Sequence, residues 1–225
     1  MATKLDKKDL TEPDKLQILF LKIRAFIEEH RMRIYIGAGI FVLILVLAGG
    51  WSLYQRNYEK NADKNYTKVF EAARKTVSPE GDTSTIKGYK DLISQYPRSR
   101  AAVTSLYRLG NIYFDRREID AAILAYQDFL NKASADSDLV TLAYNGMGAC
   151  YELKKDFNKA LETYEKAMKS SSAPSFETLN YAGAARVYEA MNNNAKAVEF
   201  YRKALGKTTD PLMTLYLKRK ISSLS

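Results

Sequence analysis

The chain has 225 residues, 35 Lys and Arg against 26 Asp and Glu, and a formal net charge of +9. Its one cysteine, Cys150, and one histidine, His30, exclude an intramolecular disulfide and any spacing of metal ligands built on those residues. The basic excess is thin: residues 1–54 carry eight Lys/Arg against six Asp/Glu, residues 55–225 twenty-seven against twenty. Nucleic acid needs a basic stripe, and Lys218-Arg219-Lys220 is the only basic triplet.

Residues 1–10 mix Lys4, Lys7 and Lys8 with Asp6 and Asp9 and show no apolar period, which predicts a disordered start. Thr11-Glu12-Pro13-Asp14 reads as a helix start, with a Thr cap, first-turn acids and a proline where a missing N–H matters little. Leu16, Phe20, Ile23 and Ile27 follow at helical spacing, and Leu19, Leu21 and Phe26 widen the apolar face. Such a face lies along a membrane interface or docks on a partner's helices. No glycine or proline interrupts Lys15 to Ile36, so no breaker predicts a bend.

Ile34–Tyr54 holds no charged residue, and Arg31 and Arg33 bracket it on one side, Arg56 and Lys60 on the other. At ~1.5 Å per residue such a helix reaches roughly 30 Å, the thickness of a bilayer's hydrocarbon. Tyr35, Trp51 and Tyr54 stand where an aromatic belt would lie. A cleaved signal peptide has a shorter apolar run near a short basic start. The lipoprotein-like Leu47-Ala48-Gly49-Gly50 lacks its acceptor cysteine. The stretch is therefore read as a retained, single-pass transmembrane helix. No Gly-x-x-x-Gly pair supports a tight dimer face in it. His30 then sits at the membrane surface and Cys150 beyond the span, which rules out a Cys–His catalytic pair. Cys150 is read as a small buried apolar residue.

From Gln55 to Val77 there is again no glycine or proline, so the helix is expected to run on until Ser78-Pro79-Glu80-Gly81-Asp82 ends it. Beyond lies a repeat. Tyr89, Tyr126, Tyr164 and Tyr201 are separated by 37, 38 and 37 residues, with Thr85, Ala122, Ala160 and Ala197 four residues before them. Thr76, Tyr113, Tyr151 and Tyr188 form a third register; Ala73, Gly110, Gly148 and Ala185 form a fourth. Agreement in phase at this period predicts an all-α stacked solenoid. A small residue at Gly110, Gly148 or Ala185 lets two helices approach. One at Ala122, Ala160 or Ala197 accepts a ring such as the tyrosine three residues after each glycine position. Asp115-Arg116-Arg117, Lys154-Lys155-Asp156 and Asn192-Asn193-Asn194 read as the turns within pairs.

Leu109-Gly110-x-x-Tyr113 with Ala122-x-x-x-Tyr126 resembles the tetratricopeptide repeat, as does Met147-Gly148-x-x-Tyr151 with Ala160, Tyr164 and Ala167. A third copy holds Ala185, Tyr188, Ala197, Tyr201 and Ala204, and a weaker first copy keeps Tyr89, Leu92 and Pro97. The expected organisation is an N-terminal tail with an amphipathic helix (1–33), a transmembrane helix (34–54), a helical connector (55–65) and a repeat domain (66–225). Repeats fall near 66–102, 103–140, 141–177 and 178–210, with longer turns at Lys132–Asp138 and Ser170–Ser175. A closing helix at 211–224 covers the last apolar face.

Arrays of this family bind and rarely catalyse, so the resemblance implies protein partners, no enzyme activity, no cofactor, no metal and no small-molecule substrate. By repeat position, the concave lining would include Phe70, Arg74, Tyr107, Asn111, Phe114, Asn145, Ala149, Glu152, Arg186 and Glu189. The family's carboxylate clamp needs basic residues and asparagines at positions where Tyr107, Gly146 and Gly183 stand, which argues against that ligand. Tyr107 and Phe114 suit a partly apolar peptide or helix, or else they pack between repeats.

A charged N-terminus, one span and a repeat domain with Tyr96-Pro97-Arg98-Ser99 between repeats together resemble the bacterial ancillary subunit of the Sec translocon. That resemblance implies an inner-membrane protein with a cytoplasmic N-terminus and periplasmic repeats, beside the translocon and a periplasmic chaperone. A periplasmic scaffold for envelope assembly or cell-division coordination is the other reading, and an organelle adaptor would require the opposite topology. Flanking charge does not orient the span: Lys15, Lys22, Arg24, Arg31 and Arg33 balance Arg56, Lys60, Lys64, Lys68 and Arg74.

Overall fold

The computed structural model describes residues 15–75, 79–135, 138–170 and 173–225, and every regular element among them is helical. In order these are α1 (Lys15–Lys75), α2 (Pro79–Gln95), α3 (Arg100–Asp115), α4 (Ile119–Lys132) and α5 (Asp138–Leu153). Then come α6 (Phe157–Lys169), a 3₁₀ turn (Ala173–Phe176), α7 (Glu177–Ala190), α8 (Asn194–Leu205) and α9 (Pro211–Leu224). The chain forms two units, Met1–Asn57 and Tyr58–Ser225.

In the first unit α1 runs unbroken from Lys15 through the apolar stretch. The cap expected at Thr11 and the tail before it lie outside the described residues. Gly37, Gly39, Gly49 and Gly50 meet no neighbouring atom, so none marks a close helix contact there. His30 stacks on Phe26 with ring centres 4.5 Å apart, one turn away. Arg24 pairs with Glu28 at 3.0 Å.

The second unit starts inside α1. Ala62, in the segment read as a connector, is fully buried with Leu92, Ala101 and Ala102. Tyr66 packs its ring 5.8 Å from Tyr89, so the end of α1 supplies the first member of a helix pair with α2. Pro79 opens α2, and Pro79-Glu80-Gly81-Asp82 form its first turn. A breaker read only as a stop is thus also a start, because a proline there lacks an N–H that the first turn leaves unpaired anyway.

The Tyr96-Pro97-Arg98-Ser99 segment closes against α1. Tyr58 meets Tyr96 edge-on at 5.3 Å and accepts from the Arg98 N–H at 3.3 Å. Ser99 is completely buried and caps α3: its Oγ accepts from the Ala102 N–H at 3.0 Å and donates to the Tyr96 carbonyl at 2.9 Å.

Helices α3–α4, α5–α6 and α7–α8 then stack as pairs. Tyr113 and Ala122 share one buried cluster, but the glycines receive a different ring. A Cβ on Gly110 would lie 2.5 Å from the Tyr126 ring, and one on Gly146 would lie 2.6 Å from the same ring. Tyr164 is held likewise between Gly148 and Gly183. Each of these two second-helix tyrosines is clasped between its own pair and the next.

The turns inside the pairs are equally regular. Arg117, Lys155 and Asn192 have φ of 62°, 59° and 58°, the left-handed region, at matching repeat positions. The left-handed residue reverses the chain so that the next N–H reaches back into the first helix: Asp156 N–H to the Tyr151 carbonyl at 2.9 Å, Asn193 N–H to the Tyr188 carbonyl at 2.9 Å. Asp156 and Asn193 then cap the second helices. Cys150 is fully buried, and that burial pushes its thiol up to about 12. It is inert at neutral pH.

Candidate functional site

The hydroxyls of the second-helix tyrosines build a ladder along the first helices. Tyr126 donates to Asn111 Oδ1 at 2.7 Å, Tyr164 to Glu152 Oε2 at 3.1 Å, and Tyr201 to Glu189 Oε2 at 2.7 Å. A cation from the following helix completes each acidic rung. Arg186 donates from Nε and Nη2 to the two Glu152 oxygens at 3.1 and 3.2 Å, and from Nη2 to the Tyr164 hydroxyl at 3.2 Å. Lys220 of α9 donates to Glu189 Oε1 at 2.7 Å.

These contacts set the charge states. Burial pushes the Tyr126, Tyr164 and Tyr201 hydroxyls well above the usual phenol range. Burial would also raise the Glu189 carboxyl, but the Lys220 and Tyr201 bonds outweigh it and hold that group below the ordinary glutamate value. For Arg186 burial works against the charge, and the Glu152 bonds more than restore it.

The residues expected to line one groove do not all come together. Phe70, Arg74 and Asn111 come together, with Arg108, Tyr89 and Asp115, around a cleft of about 300 Å³. There Arg108 lies 5.1 Å from the Phe70 ring centre and donates to the Tyr66 hydroxyl at 3.2 Å. Glu152, Arg186 and Glu189 belong to the ladder. Tyr107 packs on Tyr126 and Phe129, with ring centres 6.1 and 5.7 Å away, and Phe114 lies half-buried on the same cluster. Asn145 is 7% exposed and donates to Asn180 Oδ1 at 2.6 Å and to the Thr141 carbonyl at 2.9 Å, a bridge between α5 and α7. Ala149 is half-buried on α5.

A larger opening is one that sequence spacing did not single out. Between α7 and α9 a cleft of about 520 Å³ is lined by Phe176, Leu179, Ala182, Arg186, Met213 and Tyr216, among others. Helix α9 buries Leu217 against Tyr201 and Ala204 of α8, with Met213, Ile221 and Leu224 beside it. Its other side leaves Leu212 79%, Leu215 67% and Tyr216 40% exposed. Three large apolar side chains within five residues are unusual on a closing helix, whose outer face is ordinarily polar. The signal was present in Pro211-Leu212-Met213-Thr214-Leu215-Tyr216, where apolar residues exceed what one buried face can use.

A model of the tetratricopeptide repeat-like domain family matches residues 24–225. Among solved structures, the MamA protein superposes with a TM-score of 0.57 at 19% identity, covering 72% of this chain and 81% of its own. PilF of Pseudomonas aeruginosa gives 0.56 at 15% identity, covering 73% and 69%. A tetratricopeptide repeat protein of Parabacteroides merdae gives 0.56 at 14% identity, covering 72% and 60%. At these identities the likeness is one of fold. No curated protein matches the chain.

Proposed function

The chain belongs to the tetratricopeptide repeat-like domain family, whose repeats imply a protein–protein interaction scaffold, and on that premise we propose that it is a membrane-anchored adaptor. The observation that carries this reading is the state of Ile34–Tyr54: every residue in it is exposed. A soluble core helix buries its apolar side. Here Ile40, Phe41, Leu43, Ile44 and Leu45 each expose more than half of their surface. Burying such a side chain is favourable by ~1.5–3 kcal/mol, and a bilayer supplies that burial along the whole stretch.

The partners proposed are the Sec translocon and a periplasmic chaperone, with the N-terminus in the cytoplasm and the repeats in the periplasm of a bacterial inner membrane. What supports this is the order of the parts: a short charged segment, one span, and a scaffold of repeats. Two openings of the repeat unit suit a partner segment. The cleft around Phe70, Arg74 and Asn111 combines an aromatic floor with guanidinium and amide donors. The cleft between α7 and α9 is wider and more apolar, and the adjoining Leu212 and Leu215 would extend a contact with a partly apolar helix.

Quantitative co-purification after crosslinking in intact membranes tests the proposal. Exchanging residues 34–54 for an unrelated apolar span is expected to weaken association with the translocon while the repeats still reach the periplasm. Leu212→Gln with Leu215→Gln is expected to weaken capture of the chaperone or client and spare the translocon contact. An unchanged partner profile in both variants rejects the adaptor.

A further inference from the structure

The repeats provide an internal comparison for the outward face of each second helix. In α6 and α8 that face is closed by charge: Lys159 lies 5.6 Å from the Tyr151 ring centre and Glu162 pairs with Lys166 at 2.7 Å. Equivalently, Lys196 lies 5.1 Å from Tyr188, and Glu199 pairs with Lys203 at 2.6 Å. The same three positions in α4 are Ala121, Leu124 and Asp128. No lysine of α4 covers Tyr113; Lys90 reaches over it from α2 instead, at 5.8 Å.

The result is a cleft of about 400 Å³ between α2 and α4, floored by Leu106, Leu109 and Ala125. Leu124 stands at its edge, 63% exposed. Asp128 lines the α4 wall and makes no ion pair or hydrogen bond among the described residues; Lys90 and Ser94 line the α2 wall. An apolar knob beside an apolar hole, with an acid on one wall and an ammonium on the other, is complementary to itself.

We propose that this α2–α4 face binds a second copy of the chain about a two-fold axis. Leu124 of each copy enters the cleft of the other, and Asp128 meets Lys90 of the second copy, twice by symmetry. An isologous contact requires both halves of each interaction on one surface, and this face carries both. The inference stands apart from the anchoring and translocon readings, since it uses only the repeat unit.

Because Cys150 is buried, Ser94→Cys at the rim supplies the single reactive thiol of the full chain. In detergent solution a short bis-maleimide should then give a covalent dimer. Leu124→Glu, which installs the residue found in both sister repeats and so respects the fold, should cut the yield at least fivefold. Asp128→Lys and Lys90→Glu should each cut it several-fold, and the two together should restore it. No dimer from Ser94→Cys, or a yield indifferent to Leu124→Glu, overturns the proposal. Loss in both single charge variants without rescue in the double overturns the two-fold pairing of Asp128 with Lys90.

Discussion

Tyr164 and Gly183 approach so closely that a Cβ on the glycine would stand 2.3 Å from the tyrosine ring. The ring belongs to α6 and the glycine to α7, so the contact joins one helix pair to the next. Gly183→Ala is therefore expected to destabilise by ~1–3 kcal/mol, as overpacking of a closed core does. Gly206 is the control: its Cβ would meet backbone atoms no closer than 3.6 Å, and its φ of −70° suits alanine. Gly206→Ala should hold or slightly raise stability. Thermal melts that shift equally for the two would contradict the clasp.

The left-handed turns predict an asymmetry among substitutions at one repeat position. Asn192 tolerates its φ of 58°, whereas a β-branched side chain there does not. Asn192→Val should lower stability by ~1–2 kcal/mol, and Lys155→Asn should leave it unchanged or improved. Chemical denaturation of both variants reads this directly.

The Glu189–Lys220 pair ties α9 to α7 and carries a pH dependence of known sign. An unfolded glutamate titrates near ~4.3, and in the fold this carboxyl titrates lower. Its stabilisation is complete above the unfolded value and disappears as pH falls through the folded one. The Tm difference between the wild type and Glu189→Gln is expected to be largest near neutrality and to shrink as pH falls below the unfolded value. A difference constant from pH 3 to 7 would refute the ion pair.

The proposed membrane orientation is testable by protease on sealed cells with a permeabilised outer membrane. The proposed topology places the repeats outside, so residues 58–225 should be digested and the N-terminal tail protected. Survival of the repeats with loss of the tail would reverse the orientation.

Much of the helical layout was legible in the sequence because it rests on local rules. Apolar spacing marks helices, a charge-free run of twenty-one residues marks α1's middle, and glycine at Gly110 and Gly148 marks close approach. The candidate groove was less legible. Glu152, Arg186 and Glu189 look like free functional groups in the chain, yet Arg186 lies 34 residues from Glu152 and Lys220 lies 31 residues from Glu189 in their pairs. Asn145 faces Asn180 across 35 residues in the same manner. One-turn periodicity within a helix cannot reveal partners that meet only when successive pairs stack.

By itself, then, the sequence determined the helices, the apolar run and the repeat family, because each depends on contacts within a few residues or on a period that survives in one dimension. Tertiary structure decided the rest. Stacking turned Gly146 and Gly183 into seats for rings from the preceding pair, and consumed the ladder's charges between neighbours. It also left Leu124, Leu212 and Leu215 uncovered. Whether an apolar side chain is core or surface depends on which helix arrives beside it, and that is settled only when the pairs pack.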